Sequence, residues 1–226
     1  MNQYVQAMVL GLDPTWRRLD GATRAAGAAA FAEVIEGRND VVTATYEMIG
    51  RRAAADILVW RLAPSVDVLD DEAARLLRTG VGRWLSVRES FLGRISESQY
   101  VARPTSQEQS LFAGDRARYL IVYPFTKSVE WYLLPREVRQ GSMNEHMRVG
   151  RAYPQVRQLL AYSFGLDDHD FLVAYETDDL PAFSELVREL RATDARRSTV
   201  RDTPILLGVH RPMSEILELL GAADPG

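Results

Sequence analysis

Apolar and polar positions along this 226-residue chain fall into two successive series of the same order. Residues 4–10, YVQAMVL, predict a strand. Asp13 sets an N-cap acceptor before Pro14 at the first helical position, and the alanine-rich run behind them predicts a helix to about Glu36, closed by Gly37. Alternating β-branched and aromatic residues over 41–49 predict a second strand, and 56–62 predict a third. The apolar spacing of 69–78 is helical, and 84–95 is extended. The order is βαββαβ. The second series predicts strands at 118–125, 156–164, 171–176 and 204–209, with helices at 135–150 and 180–193. A short helix over 213–220 follows Pro212.

The two series also match by residue type at an offset of about 114 to 115 residues. Tyr4 falls on Tyr119 and Trp16 on Trp131, ADILVWRL of 55–62 falls on HDFLVAYE of 169–176, and LLRT of 76–79 falls on LRAT of 190–193. A βαββαβ unit is a ferredoxin-like α+β module whose sheet is apolar on both faces, one side taking the helices and the other needing a partner sheet. The expected fold is therefore α+β, two tandem ferredoxin-like βαββαβ modules of the dimeric α+β barrel type, over residues 1–100 and 115–226. The polar linker near 96–114, marked by Arg103-Pro104, has room to drape over a pocket as well as connect.

Composition narrows the function classes. Hydrophobic content of 46% is enough for packed cores, and a net charge of −4, from 27 basic and 31 acidic residues interleaved, argues against a nucleic-acid surface. The absence of cysteine excludes disulfides, iron–sulfur clusters and thiol catalysis. The start MNQYVQAMVLGLDP lacks the pattern of a signal peptide, and the longest apolar runs are only strand-length, so a soluble cytoplasmic protein with no membrane span is expected.

Of the three histidines, His169 lies in a turn between acidic residues and His210 follows the last strand, so both are expected in solvent. His146 lies in the helix of Met143, Met147 and Gly150, where an imidazole can point inward between apolar neighbours. With no second ligand at helical spacing it suits zinc or non-haem iron poorly, and it suits the single proximal position of a haem iron well. A core histidine with a satisfied hydrogen bond is the other reading. The matching position of the first series, near Phe31, carries no histidine, which points to specialisation of one half.

Tyr123 precedes Pro124 and is therefore extended; alternation puts Tyr119, Ile121 and Tyr123 on one face, Leu120 and Val122 on the other. Its phenol is either sheet core or an oxidisable group in a pocket. Lys127, at the strand's end, is either a surface lysine or the cation at that pocket's mouth, placed to meet a carboxylate. Trp131 occupies a repeat-matched position and reads equally as a packing anchor. Gln158 faces away from its neighbours Arg157 and Leu159, so the side of the strand that meets the pocket decides the chemistry. A glutamine over iron polarises bound peroxide weakly, whereas an arginine stabilises developing oxyanions strongly. Arg191, Arg196, Arg197 and Arg201 are candidates to meet ligand carboxylates, or else cations favoured near a helix C-terminus.

With these residues in view, the second half resembles the chlorite dismutase superfamily, and within it the coproheme decarboxylases of haem synthesis. The matching motifs are Tyr123-Pro124 with Lys127, WYLLP over 131–135, Glu145-His146 with Gly150-Arg151, the GLDD turn of 165–168, and RATDARR…TPILLG over 191–208. The resemblance covers about 118–209; the first half agrees in element order only. It implies two ferredoxin-like modules per subunit, homopentameric rings, and a porphyrin in the C-terminal module. By similarity His146 would be the proximal iron ligand and Tyr123 the tyrosine oxidised to a radical that attacks a propionate. Lys127 would orient or protonate propionates, Trp131 would line the pocket near the second reacting group, Gln158 would lie on the distal side, and Arg103, Arg197, Arg201 and Thr203 would contact the macrocycle. The implied reaction is the hydrogen peroxide-dependent decarboxylation of two propionates of iron coproporphyrin III, substrate and redox cofactor at once, to give haem b. Met147 stands where many members have glycine, and the loop from Lys127 to Trp131 is shorter than in some relatives. Chlorite dismutases proper place an arginine where this chain has Gln158 and lack the tyrosine that Tyr123 supplies. The alternatives are a chlorite dismutase or haem peroxidase, or a non-catalytic haem-binding protein.

Overall fold

The computed structural model describes residues 3–37, 40–95 and 115–222; the expected linker, with Arg103, lies outside the described residues. The fold is mixed α+β. Its residues group into two units, one within Met1–Arg94 and Leu207–Gly226, the other within Ile95–Leu206.

The first unit contains β1 (Gln3–Leu12), α1 (Gly21–Glu36), β2 (Val42–Arg52), β3 (Ala55–Ala63), α2 (Val66–Arg78) and β4 (Leu85–Ile95). Its strands lie in the order β4-β1-β3-β2. β3 pairs antiparallel with β1, Tyr4 opposite Ala63 and Leu10 opposite Ile57, and with β2, Val42 opposite Leu62. Every residue of β3 from Ile57 to Ala63 is buried, Arg61 included, so the strand is covered on both faces and shows no alternation of exposure.

The long helix does not begin at Asp13. That carboxylate accepts from the Thr15 N–H at 2.8 Å and caps only a single turn, Pro14–Arg18, after which Leu19 is extended. Asp20 then caps α1, accepting from the Thr23 N–H at 2.9 Å. The separate turn carries Trp16 into the core, where its indole lies so near Gly27 that an added Cβ would sit 3.0 Å from the ring. Between helices and sheet, Met8, Leu10, Trp16, Phe31, Ile57, Val59 and Leu76 form one apolar cluster.

Residues 207–222, assigned by sequence to the C-terminal half, group with this first unit. Here β9 (Leu206–His210) pairs with β2, Tyr46 opposite His210, and the Thr45 hydroxyl donates to the Arg211 carbonyl at 2.6 Å. The last helix, α6 (Met213–Leu219), brings Met213, Ile216 and Leu217 into the same apolar cluster, and the Arg24 guanidinium donates to the Gly221 carbonyl at 2.9 Å. Burial of that apolar face decides where the segment goes.

The second unit contains β5 (Tyr119–Lys127), α3 (Val129–Leu133), α4 (Arg136–Arg151), β6 (Arg157–Tyr162), β7 (Phe171–Thr177), α5 (Leu180–Arg191) and a three-residue strand, β8 (Thr199–Arg201), that the sequence pattern does not announce. β7 pairs antiparallel with β5, Tyr123 opposite Val173, and with β6, Gln158 opposite Tyr175. β6 stops at Tyr162, short of the expected 164, because the Leu166 and Asp167 N–H groups donate to the Ser163 carbonyl at 2.8 and 3.1 Å. The turn is completed by Gly165 at φ +70°, a left-handed conformation that costs glycine least. Among the described residues no helix is long and apolar enough to cross a membrane.

If α6 is a working part of the first core, Ile216→Ala, which removes a fully buried side chain, lowers the unfolding free energy by about 2–5 kcal/mol. Urea denaturation measures it; a loss within experimental scatter of zero would detach the helix from that core.

Candidate functional site

The repeat explains where the second unit is hollow. At the same offset, Leu10 corresponds to Phe125, Trp16 to Trp131, Phe31 to His146, Ile57 to Phe171, Val59 to Val173 and Leu76 to Leu190. In the first unit these residues pack together as core; in the second their counterparts line a cavity. Met8 and Arg61 correspond to Tyr123 and Tyr175. The fully buried Arg61 guanidinium donates to the Leu69 carbonyl at 3.1 Å and also meets Gln6, filling the space that stays open in the other unit. The open space is about 1240 Å³, solvent at its mouth included. It lies between α4 and α5 and the sheet face that carries Tyr123, Gln158 and Tyr175.

α4 is sixteen residues long, and its inner side chains are shielded from water without being fully closed off, because that face meets the cavity. Helical spacing puts Met143, His146 and Met147 on one face, and all three line the cavity. The His146 imidazole is pushed down to about 4, chiefly by removal from water and further by the Lys127 ammonium, with Glu145 pulling the other way. It is therefore neutral at physiological pH, the state in which a ring nitrogen can bind a metal. The Glu145 carboxylate is engaged elsewhere, accepting from the Asp194 N–H at 3.0 Å. Among the described residues no cluster of three or more histidine and acidic side chains could hold a bare ion. A metal on His146 has to bring further ligands with it, and a cavity walled by methionine, leucine and aromatic side chains suits an apolar macrocycle that does so.

The sheet wall settles which side of β6 matters. Gln158 stands opposite Tyr175 and lines the cavity. Arg157 stands opposite Glu176 and is bound to it at 2.8 Å, with Arg116 on the same carboxylate at 3.2 Å. The residue over the cavity is thus a neutral amide. Tyr123 and Tyr175, diagonal neighbours on β5 and β7, stack with centroids 6.0 Å apart and planes 24° from parallel. Burial, and next the Tyr175 phenol, raise the Tyr123 phenol well above its ordinary pKa. It keeps its proton unless an electron leaves too.

Lys127 lines the cavity as a buried cation. Its Nζ donates to the Ala195 carbonyl at 2.6 Å and lies 4.3 Å from the Trp131 ring centre. Burial, then Arg196, bring its pKa down to about 8. Trp131 is 3% exposed, at once packing anchor and wall. Arg191, Arg196 and Asp202 complete the polar end: Asp202 accepts from Arg196 at 2.6 Å and pairs with Arg191 at 3.7 Å.

Arg197, Arg201 and Thr203 are not among the lining residues. Arg197 is exposed and pairs with Asp194 at 3.6 Å, and the Arg201 Nε donates to the Thr203 carbonyl at 3.2 Å. His210 is exposed as expected, against Tyr46. His169 is not: it is buried, its Nδ1 3.5 Å from Asp167, within the turn that the Ser163 N–H closes on the Asp170 carbonyl. Sequence reasoning missed Tyr175 and Asp202. The parity of β7, shared by Phe171, Val173 and Tyr175, was the available signal for the first; nothing local pointed to the second.

Comparison with known proteins agrees with this architecture. The family model described as chlorite dismutase matches residues 24–211. The coproheme decarboxylase of Mycolicibacterium smegmatis is 34% identical over 227 aligned residues, covering 96% of this chain and 94% of that protein. The chlorite dismutase of Candidatus Nitrospira defluvii, solved in complex with imidazole, is 30% identical with a TM-score of 0.87, and a mutant of the same enzyme reaches 0.88. Each alignment covers 96% of this chain and 94% of the other.

The His146 shift carries a pH dependence. Between the folded value near 4 and the unfolded 6.5 the unfolded chain binds more protons, so this group's contribution is intact above 6.5 and is lost as pH falls through 4. Ring-proton NMR should give a midpoint near 4, and His146→Phe should flatten the pH dependence of urea stability in that window. A midpoint at 6.5 would contradict the burial described.

Proposed function

Since the chain belongs to the chlorite dismutase family, we propose that it is a hydrogen peroxide-dependent coproheme decarboxylase, oxidising two propionates of iron coproporphyrin III to vinyl groups and yielding haem b. The observation that carries the reading is one cavity with a neutral imidazole on its helix wall and, on its sheet wall, a buried phenol beside a neutral amide. For each propionate, the side arm and one peroxide give a vinyl group, carbon dioxide and two waters.

His146 would hold the iron, and the apolar side chains of α4, β6 and β7 would hold the macrocycle and keep water from it. Bound there, the iron porphyrin supplies the reaction with peroxide and is itself the molecule transformed. Tyr123 gives up an electron and its proton together, then takes a hydrogen atom from the propionate carbon next to the ring. Loss of carbon dioxide makes the step irreversible. Trp131 is a poorer site for the missing electron, because the Lys127 ammonium sits over its ring and opposes a positive charge there. Lys127 faces the substrate's carboxylates as a fixed cation. Gln158 offers peroxide a neutral amide where an arginine would favour a full oxyanion, and this parts the chain from the chlorite-splitting reading. Arg191 and Arg196, now shared with Asp202, are placed to take a carboxylate at the polar end. Arg197, Arg201 and Thr203, outside the lining, keep a role only at the rim.

The proposal extends to the assembly. Two tandem ferredoxin-like modules are supported by the β4-β1-β3-β2 order of the first unit and by the matched core and cavity positions. The homopentamer and the cytoplasmic location rest on the family resemblance.

With iron coproporphyrin III and peroxide, mass analysis should show the three-propionate and then the two-propionate porphyrin. Tyr123→Phe should bind the substrate and leave its mass unchanged; full conversion by that variant overturns the reading. Oxygen release from chlorite that survives Tyr123→Phe would favour a chlorite dismutase, and unchanged porphyrin in the unsubstituted protein a binding protein.

A further inference from the structure

Tyr123 does not stand alone on the cavity wall. Tyr175 lies beside it on β7, ring over ring at 6.0 Å and 24°, close enough for each phenol to shift the other's acidity. Both line the cavity, but their burial differs: Tyr123 keeps a partly open surface while Tyr175 is 4% exposed, held from behind by Phe183 at 5.3 Å. Tyr123 is therefore the more open of the two to a ligand. The matching residue of the first unit is Arg61, so the second phenol occurs in the half that carries the first.

We propose that Tyr175 is a redox partner of Tyr123, sharing its oxidised state by hydrogen-atom exchange between the two stacked phenols. The inference rests on the decarboxylase reading, which supplies the oxidising equivalent through peroxide. The oxidised Tyr123 oxygen takes the hydroxyl hydrogen of Tyr175; the Tyr123 O–H bond forms as the Tyr175 O–H bond breaks. One electron and one proton cross together, no charge is created in the buried wall, and the reverse step restores Tyr123 when a propionate is in place. Burial raises the pKa of both phenols, which disfavours separate proton loss and agrees with such a coupled transfer. The Lys127 cation over Trp131 closes the competing route through the indole. Tyr175 would thus hold the oxidising equivalent away from solvent between turnovers and limit damage at the cavity mouth.

The test uses the full chain loaded with haem b, the reaction's product, so that the oxidising equivalent outlives the lack of a propionate to attack. After freeze-quenching with peroxide, electron paramagnetic resonance should resolve two phenoxyl components, since the two rings differ in burial and surroundings, and Tyr175→Phe should lose one of them. In the unsubstituted protein, peptide mass analysis after repeated peroxide additions should find oxidation at Tyr175 as well as Tyr123, which makes the result independent of how the variant folds. A single component common to both proteins, with modification confined to Tyr123 and normal conversion of iron coproporphyrin III, overturns the exchange and leaves the decarboxylase reading standing. No phenoxyl signal together with unconverted coproporphyrin overturns both.

Discussion

The chemistry of this chain depends on one packing constraint: the helix face of α4 and the sheet face of β5, β6 and β7 are held apart without side chains to fill the gap. In the first unit the same positions close up, with Phe31 where the second has His146 and Met8 where it has Tyr123, and with α6 and the Arg61 guanidinium occupying what space remains. An unfilled gap of that kind forfeits apolar contacts, and a flat apolar ligand entering it would restore them. The cost of the cavity to the free chain is thus tied to its gain on binding.

Removal from water acts differently on each polar group of the wall. It holds the imidazole neutral and so able to bind metal, keeps both phenols protonated, and weakens but does not abolish the charge of Lys127. The cation survives because the Ala195 carbonyl and the Trp131 ring replace part of its hydration. One environment therefore yields a neutral imidazole, a pair of protonated phenols and a buried positive charge.

Much of this was legible in the chain. The repeat offset predicted which positions correspond, and the lack of a histidine counterpart at Phe31 pointed to the half that is specialised. Alternation separated Gln158 from Arg157, but which of them meets the cavity followed only from the register with β7, where Gln158 faces Tyr175 and Arg157 faces Glu176. Asp13 satisfied the local signature of a helix start, and the longer-range demand to bury Trp16 reduced it to a single turn. The burial of His169 and the place of Asp202 depend on how turns fold back over the sheet, which no local pattern encodes. The last helix went to the first unit because its apolar face completes that core, a contact between residues nearly two hundred positions apart.

The central claim is that the hollow of the second unit holds an iron porphyrin through His146. Its most direct measurement is an absorption and resonance Raman titration of iron coproporphyrin III into the protein and into His146→Gly, with and without added imidazole. The account predicts one porphyrin per chain, an iron–imidazole vibration absent from the variant, and its return when imidazole fills the vacated position. Identical spectra from both proteins, unchanged by imidazole, would contradict it.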